Sequence, residues 1–263
     1  MAEIAAKDVK ALRDATGAGM MDAKKALTEC DGDFEAASQM LREKGLAKAA
    51  TRSDRDNVEG AIGLMSDGQR AALVHLKCET DFSAKSDGFL ALVDELANAV
   101  LAEGEGAIEA HLAAIDDLRL SIKENVEVGR VSLIEAGDGN VLDTYLHVQD
   151  GRGVNGVVVE GSGVDQETLH QVALHIAFAK PTSLTRDEVP SDLVDKERAA
   201  LLDITKAEGK PEQAWDKIVE GRLTGWFRET VLLEQGLHGD KTSVADTLAG
   251  GRIERFAQAY LGA

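Results

Sequence analysis

The chain is poor in the residues that staple or stiffen a small fold: it holds two cysteines and three prolines among 263 residues, and aromatic side chains make up 4% of it. Cys30 and Cys78 lie far apart in different kinds of segment, so neither a disulfide framework nor a zinc site has the spacing it needs, and both read as reduced structural thiols. No stretch approaches the roughly 18 consecutive apolar residues of a membrane span. Met1 to Ala5 lead straight into a mixed-charge helix and not into a secretory apolar core. Positive charge is scarce too. With 29 basic and 47 acidic residues the net charge is −18, which repels phosphate backbones and argues against nucleic acid as the main ligand. A soluble, cytoplasmic chain without a membrane partner is the expectation.

What is present suffices for a large core. Apolar residues at 44% and charged ones at 29% describe a folded protein long enough for two or three domains. Residues 1 to 55 contain ten Lys/Arg and ten Asp/Glu, so the whole negative balance belongs to the remainder and the N-terminal segment stands apart in composition.

In that segment Val9 and Leu12 mark a helix over Ala5 to Ala15, Thr16-Gly17-Ala18-Gly19 ends it, and a second helix runs from Met20 to Thr28. Asp31-Gly32-Asp33 supplies a turn and an N-cap for a third. On this helix Phe34, Ala37 and Leu41 share a face, and Gly45 is expected to close it. Three short helices form a bundle too small for interior chemistry, hence a docking module. Leu46 to Arg55 reads as a solvated connector.

Gly60 to Ser66 and Arg70 to Cys78 have strand length and flank the turn Ser66-Asp67-Gly68-Gln69. Ser86-Asp87 can cap a helix carrying Phe89, Leu92, Val93, Leu96 and Val100 at three- and four-residue steps. A weaker helical stretch from Ala107 to Glu124 follows, with a restart at Asp116-Asp117. A second run of strands comes next: Val128 to Glu135, Val141 to His147 and Val154 to Glu160, with turns at 137–140 and 150–153. Asp165 caps a helix bearing Leu169, Val172, Ala173 and Ile176. Strands joined by tight turns and followed by a helix, twice over, predict antiparallel sheets with helices on one face, an α+β fold.

Beyond Thr185-Arg186-Asp187-Glu188, which has capping-box spacing, Ser191 to Glu208 and Pro211 to Leu223 predict a helical hairpin about Gly209-Lys210-Pro211. Such a hairpin can either project and pair with a second copy or lie on its own sheet. Phe227 to Leu233 returns to strand-like composition, Thr242-Ser243 caps a short helix, and Arg255 to Leu261 is expected to rejoin the second sheet.

Chemistry is hard to place on this chain. No phosphate loop, dinucleotide fingerprint, nucleophile elbow or zinc-protease helix is present. His170 and His175, five apart, do not share a helical face, and abundant carboxylates single out no acid/base pair. There is no positive case for an enzyme, a cofactor or a metal. The informative stretch is Cys78 to Lys85, between an apolar strand and a strong helix, where Phe82 stands beside Asp81. An aromatic in such a gap either anchors its own core beside a local cap or is presented to something else.

Two strings, Thr16-Gly17-Ala18-Gly19-Met20-Met21-Asp22-Ala23-Lys24-Lys25-Ala26-Leu27 and Cys78-Glu79-Thr80-Asp81-Phe82-Ser83-Ala84-Lys85, resemble the signature motifs of translation elongation factor Ts, the family of guanine-nucleotide exchange factors for EF-Tu. Asp31-Gly32-Asp33, Lys180-Pro181, Gly209-Lys210-Pro211 and Val219-Glu220-Gly221-Arg222 keep the family's order along nearly the whole chain.

The resemblance implies a ubiquitin-associated-like three-helix domain at 1–55 and a core of two related subdomains at 56–139 and at 140–180 with 225–263. It also implies an inserted hairpin at 181–224, through which some members of that family form a homodimer. It implies GDP-bound EF-Tu as partner in protein biosynthesis, with Thr80, Asp81, Phe82 and Ser83 displacing the partner's magnesium. Met20 and Met21 would grip it through the N-terminal domain, one of the pair buried and the other presented, and His147 would be a further contact. A scaffold that holds EF-Tu without exchanging nucleotide is the competing reading. The chain departs from the family at Ser83, where a small apolar residue is usual, and at Lys123, where Gly commonly precedes Glu-Asn.

Overall fold

A computed structural model describes residues 4–262; Met1 to Glu3 and Ala263 lie outside the described residues. The N-terminal helices are α1 (Ala6–Thr16), α2 (Met20–Glu29) and α3 (Phe34–Ala50). They close on Val9, Leu12, Ala23, Ala26, Leu27, Ala37 and Leu41. Phe34 shares the face of Ala37 but stays exposed. Asp33 caps α3 by accepting from Ala36 N at 3.0 Å. Gly45 does not end this helix, which continues five residues further. A Cβ at Gly45 would lie 2.5 Å from Leu120 Cδ2, so the missing side chain lets α3 dock closely on the core.

The core begins with β1 (Glu59–Ser66) and β2 (Arg70–Cys78), antiparallel about the expected turn, where Asp67 accepts from Gln69 N and Arg70 N. A short helix α4 (Asp81–Ala84) leads into α5 (Asp87–Glu103). A 3-10 turn over Glu105–His111 precedes α6 (Leu112–Ile122), and α6 shows no break at Asp116-Asp117, where Asp116 instead pairs with Arg119 at 2.8 Å. Next come β3 (Glu127–Glu135), β4 (Val141–Gln149), β5 (Arg152–Ser162) and α7 (Gln166–Ala179). The chain continues through α8 (Ser191–Ala207), α9 (Trp215–Thr230), α10 (Val244–Thr247) and β6 (Arg252–Tyr260).

The strands form two antiparallel sheets, β1-β2-β3 and β4-β5-β6. Sequence order groups β3 with the strands after it, yet β3 pairs with β2, Leu76 opposite Val128 and Arg70 opposite Glu135. The turn at 137–140 therefore crosses between sheets instead of closing a hairpin. Glu160 holds it there by accepting from Gly137 N and Asn140 Nδ2, both at 2.7 Å.

Helix α5 packs Phe89, Leu96 and Val100 on Val74, Leu76 and Cys78 of the first sheet, and α7 packs Leu169, Val172 and Ile176 on Val157 and Val159 of the second. The remaining faces meet each other through Ile62, Leu73, Ile134, Leu142, Val158 and Ala257. The layers run helix, sheet, sheet, helix, which is why Val157, Val158 and Val159 are all fully buried. Each such side chain contributes about 1.5–3 kcal/mol of transfer free energy. Close approach is enforced at Gly153, where a Cβ would sit 2.2 Å from Ile62 O.

The helical hairpin packs on itself. Its apolar cluster consists of Val189, Leu223, Phe227 and Val231, and Arg222 of α9 reaches Glu208 just beyond α8 at 2.7 Å. Three local expectations are corrected. Thr185 makes no side-chain cap, and Glu188 accepts from Leu184 N. Pro211 precedes a 3-10 turn, so the return helix starts at Trp215. Phe227 to Leu233 is not a strand, because Val219, Leu223 and Phe227 continue one buried helical stripe to Thr230, and Leu232 then enters a 3-10 turn. No described helix is long and apolar enough to cross a membrane.

Candidate functional site

The connection between β2 and α5 forms a tip. Thr80 is its N-cap, its Oγ1 accepting from Ser83 N at 3.2 Å, so the cap is Thr80 and not Asp81. Ala84 and Ser83 are buried, whereas Phe82 is 85% exposed. A Phe at a strand-to-helix junction can fill its own core; this one does not, because Ala84 has taken that place in the cluster under α5.

What fixes the tip comes from more than forty residues away. Glu124, just past α6, accepts from Glu79 N at 3.1 Å, Thr80 N at 3.0 Å, Thr80 Oγ1 at 2.7 Å and Ser83 Oγ at 2.6 Å. Glu79 reciprocates, its carboxylate accepting from Asn125 N at 2.7 Å. Ser83 thus uses its hydroxyl to strengthen the mount, where a small apolar residue would offer only packing. Lys123 makes the turn that aims Glu124, in the left-handed region at φ 60° and ψ 30°, which accounts for a glycine being suited to that place.

A second tether ties the tip to the other sheet. Lys85 donates to Asp81 Oδ2 at 2.8 Å and lies 3.1 Å from Asp150 Oδ2 in the β4–β5 turn. The Lys85 hydrogen bond holds the Asp81 carboxyl below its usual range, and the bonds to Asp81 and Asp150 raise the ammonium above its own. Beneath the tip, burial pushes the Cys78 thiol up to about 12, so it is an inert core group whose Sγ donates to Thr80 O. Buried Arg152, at the start of β5, donates to Gly60 O at 2.7 Å and to Glu59 Oε2 at 2.8 Å, locking the two sheets together beside this point.

Thr80, Asp81, Phe82 and Ser83 are therefore one rigid unit. His147 is exposed near the end of β4, three residues before Asp150, with Tyr145 stacked on it and Tyr145 Oη 3.3 Å from its Nδ1. Met20 and Met21 lie on the separate N-terminal bundle at 48% and 75% exposure. The expectation that one of this pair is buried is corrected: the inward stripe of α2 begins at Ala23, and both thioethers precede it.

Glu124 and Asp150 were not legible as site residues, since one acid among 47 carries no local mark, and nothing in the string Cys78 to Lys85 showed that Lys85 bridges to Asp150. Phe178, 80% exposed at the end of α7, was missed as well, although it stands nine residues after Leu169 and so on the helix face opposite the buried stripe. Among the described residues no group of His, Cys, Asp and Glu could hold a metal ion. The arrangement offers no nucleophile beside a base. It offers an aromatic ring on a stiff mount, suited to entering another surface.

The family model for elongation factor TS matches residues 79–262, a span that begins at the tip. An elongation factor Ts of Clavibacter michiganensis subsp. michiganensis is 43% identical over 278 residues, with 100% of each chain covered. That of Cutibacterium acnes is 44% identical over 275 residues, covering 98% of this chain and 99% of its own. With matches of that extent, the chain belongs to the elongation factor Ts family.

Proposed function

We propose that this protein is a guanine-nucleotide exchange factor that binds GDP-bound EF-Tu and promotes release of the nucleotide during translation elongation. The observation that carries the reading is Phe82, 85% exposed on a tip whose Thr80 and Ser83 hydroxyls are both held by Glu124 of its own domain. A ring kept in water at that cost is available as an anchor for a partner's pocket. In this reading Phe82 wedges between partner helices, with Thr80, Asp81 and Ser83 shaping the tip, and the ligands of the partner's magnesium shift. Magnesium neutralises nucleotide phosphates, so its displacement loosens GDP. Met20 and Met21 supply a second, adaptable apolar contact, and His147 a third beside the tether at Asp150. The protein and GDP each lower the other's affinity for EF-Tu by the same factor, and no covalent bond changes.

Release of a fluorescent GDP analogue from EF-Tu tests this. The protein at micromolar concentration should accelerate release, and Phe82→Ala should slow that acceleration by about thirtyfold, the loss of an anchor worth about 2 kcal/mol. Folding stability of the variant should stay within about 0.5 kcal/mol, since the ring is exposed. Capture of EF-Tu without faster release would leave the scaffold reading in its place.

A further inference from the structure

A cleft of about 610 Å³ opens where β6 approaches β2, β3 and the turn after α7, away from the tip. It brings Lys77 and Arg130 of the first sheet opposite Lys180 and Arg255 beside the second, with one carboxylate, Glu188, on the lining. Glu188 already accepts from Leu184 N at 2.7 Å, and Arg255 is engaged by Glu160 at 2.6 Å. Neither Arg130 nor Lys180 forms an ion pair with any described carboxylate, although the chain has 47 acidic residues. Lys180 instead lies 4.0 Å over the Tyr260 ring, which orients its ammonium without neutralising it.

Among the described residues one buried side chain on the lining is left with an unpaired polar atom. His75 lines the same cleft, is only 3% exposed, and its Nε2 has no hydrogen-bond partner among the described residues. Burial, with Lys77 nearby, pushes this imidazole down to about 4, so it is neutral at physiological pH. As a neutral ring it can present Nε2–H to an anionic oxygen, which would remove the penalty of a buried unpaired polar atom.

We propose that this cleft binds a diphosphate-bearing small molecule. Cations on two facing walls match an anion with two charge centres better than a single phosphate. The volume falls within the range of small-molecule sites, and the Tyr260 ring under Lys180 borders it. The charge could belong to inorganic pyrophosphate or be carried on a nucleoside. The inference does not rest on EF-Tu as partner.

The full chain, titrated with pyrophosphate, GDP and guanosine and followed by amide chemical shifts, separates the sources. Saturable binding of pyrophosphate or GDP is expected at a Kd of about 0.1–1 mM, weakening with added salt, with no binding of guanosine. Equal affinities assign the site to the diphosphate itself; tighter GDP assigns it to the nucleoside form. Arg130→Gln and Lys180→Asn should each raise Kd about tenfold, and Lys10→Gln, on the N-terminal bundle, should leave it unchanged. All three replace exposed side chains, and urea midpoints verify that they fold. No saturable shift below about 10 mM, guanosine binding as well as GDP, or an equal loss in Lys10→Gln overturns the proposal.

Discussion

Replacing Glu124 by alanine removes the one acceptor on which four donors of the tip converge. Hydrogen bonds to a charged group contribute about 1.5–3 kcal/mol each, so simple addition would reach about 6–12 kcal/mol. Most of that is not lost. Thr80 is exposed, and its N–H and hydroxyl can turn to water at little cost. The buried Ser83 hydroxyl and the half-buried Glu79 N–H cannot do so as freely, which confines the penalty to about 2–4 kcal/mol. Because α4 is a single turn with no core of its own beyond Ala84, the tip should bear that penalty before the sheets do.

The function should follow the tip. A ring no longer held in one orientation pays an ordering cost on docking, and about 2 kcal/mol of lost preorganisation corresponds to about a thirtyfold slower exchange. Glu124→Gln keeps one acceptor oxygen and should recover about half of the lost free energy. The assay pairs release of the fluorescent GDP analogue with hydrogen exchange at Thr80 and Ser83. A folded Glu124→Ala variant that exchanges nucleotide at the unaltered rate, with these amides still protected, would refute the idea that Glu124 aims Phe82.

Lys123→Gly relieves a left-handed backbone and should raise stability by about 0.5–1 kcal/mol in urea unfolding, the entropy gained by the unfolded glycine being smaller than the strain removed. Gly153→Ala drives a methyl to 2.2 Å from Ile62 O and should cost about 3 kcal/mol or more, read as a lower urea midpoint, because backbone and not a flexible side chain opposes it. His75 titrates near 4 when folded, against 6.5 as the ordinary value, so protonation favours the unfolded chain. Its contribution is fully present above pH 6.5 and is lost as pH falls through 4, up to about 3 kcal/mol in all. Unfolding midpoints measured between about pH 7 and pH 4 should fall less steeply in His75→Leu, and an unchanged slope would exclude His75 as the source.

The helices and most strands were legible because their causes are local. Leu92, Val93, Leu96 and Val100 repeat at helical steps, Asp33 and Asp165 stand at cap positions, and Ser66 to Gln69 is built of turn residues. Failures occurred where a distant surface overrode the local preference. Gly45 reads as a helix stop until Leu120 packs on it, β3 joins the first sheet by pairing along β2 while Glu160 holds the 137–140 turn across the gap, and Phe227 extends a buried helical stripe.

The same division holds at the site. The sequence by itself determined that a Phe and an Asp stand between a strand and a helix, and its motifs pointed to a family and hence a partner. It could not determine whether the ring faces inward or outward. Only the tertiary structure decided that, because the outcome depends on Ala84 filling the core beneath α5 and on Glu124 and Asp150 arriving from distant segments to hold the turn. Local patterns record what neighbours in the chain prefer, whereas the direction of an exposed side chain is set by contacts whose loop closure the sequence does not display.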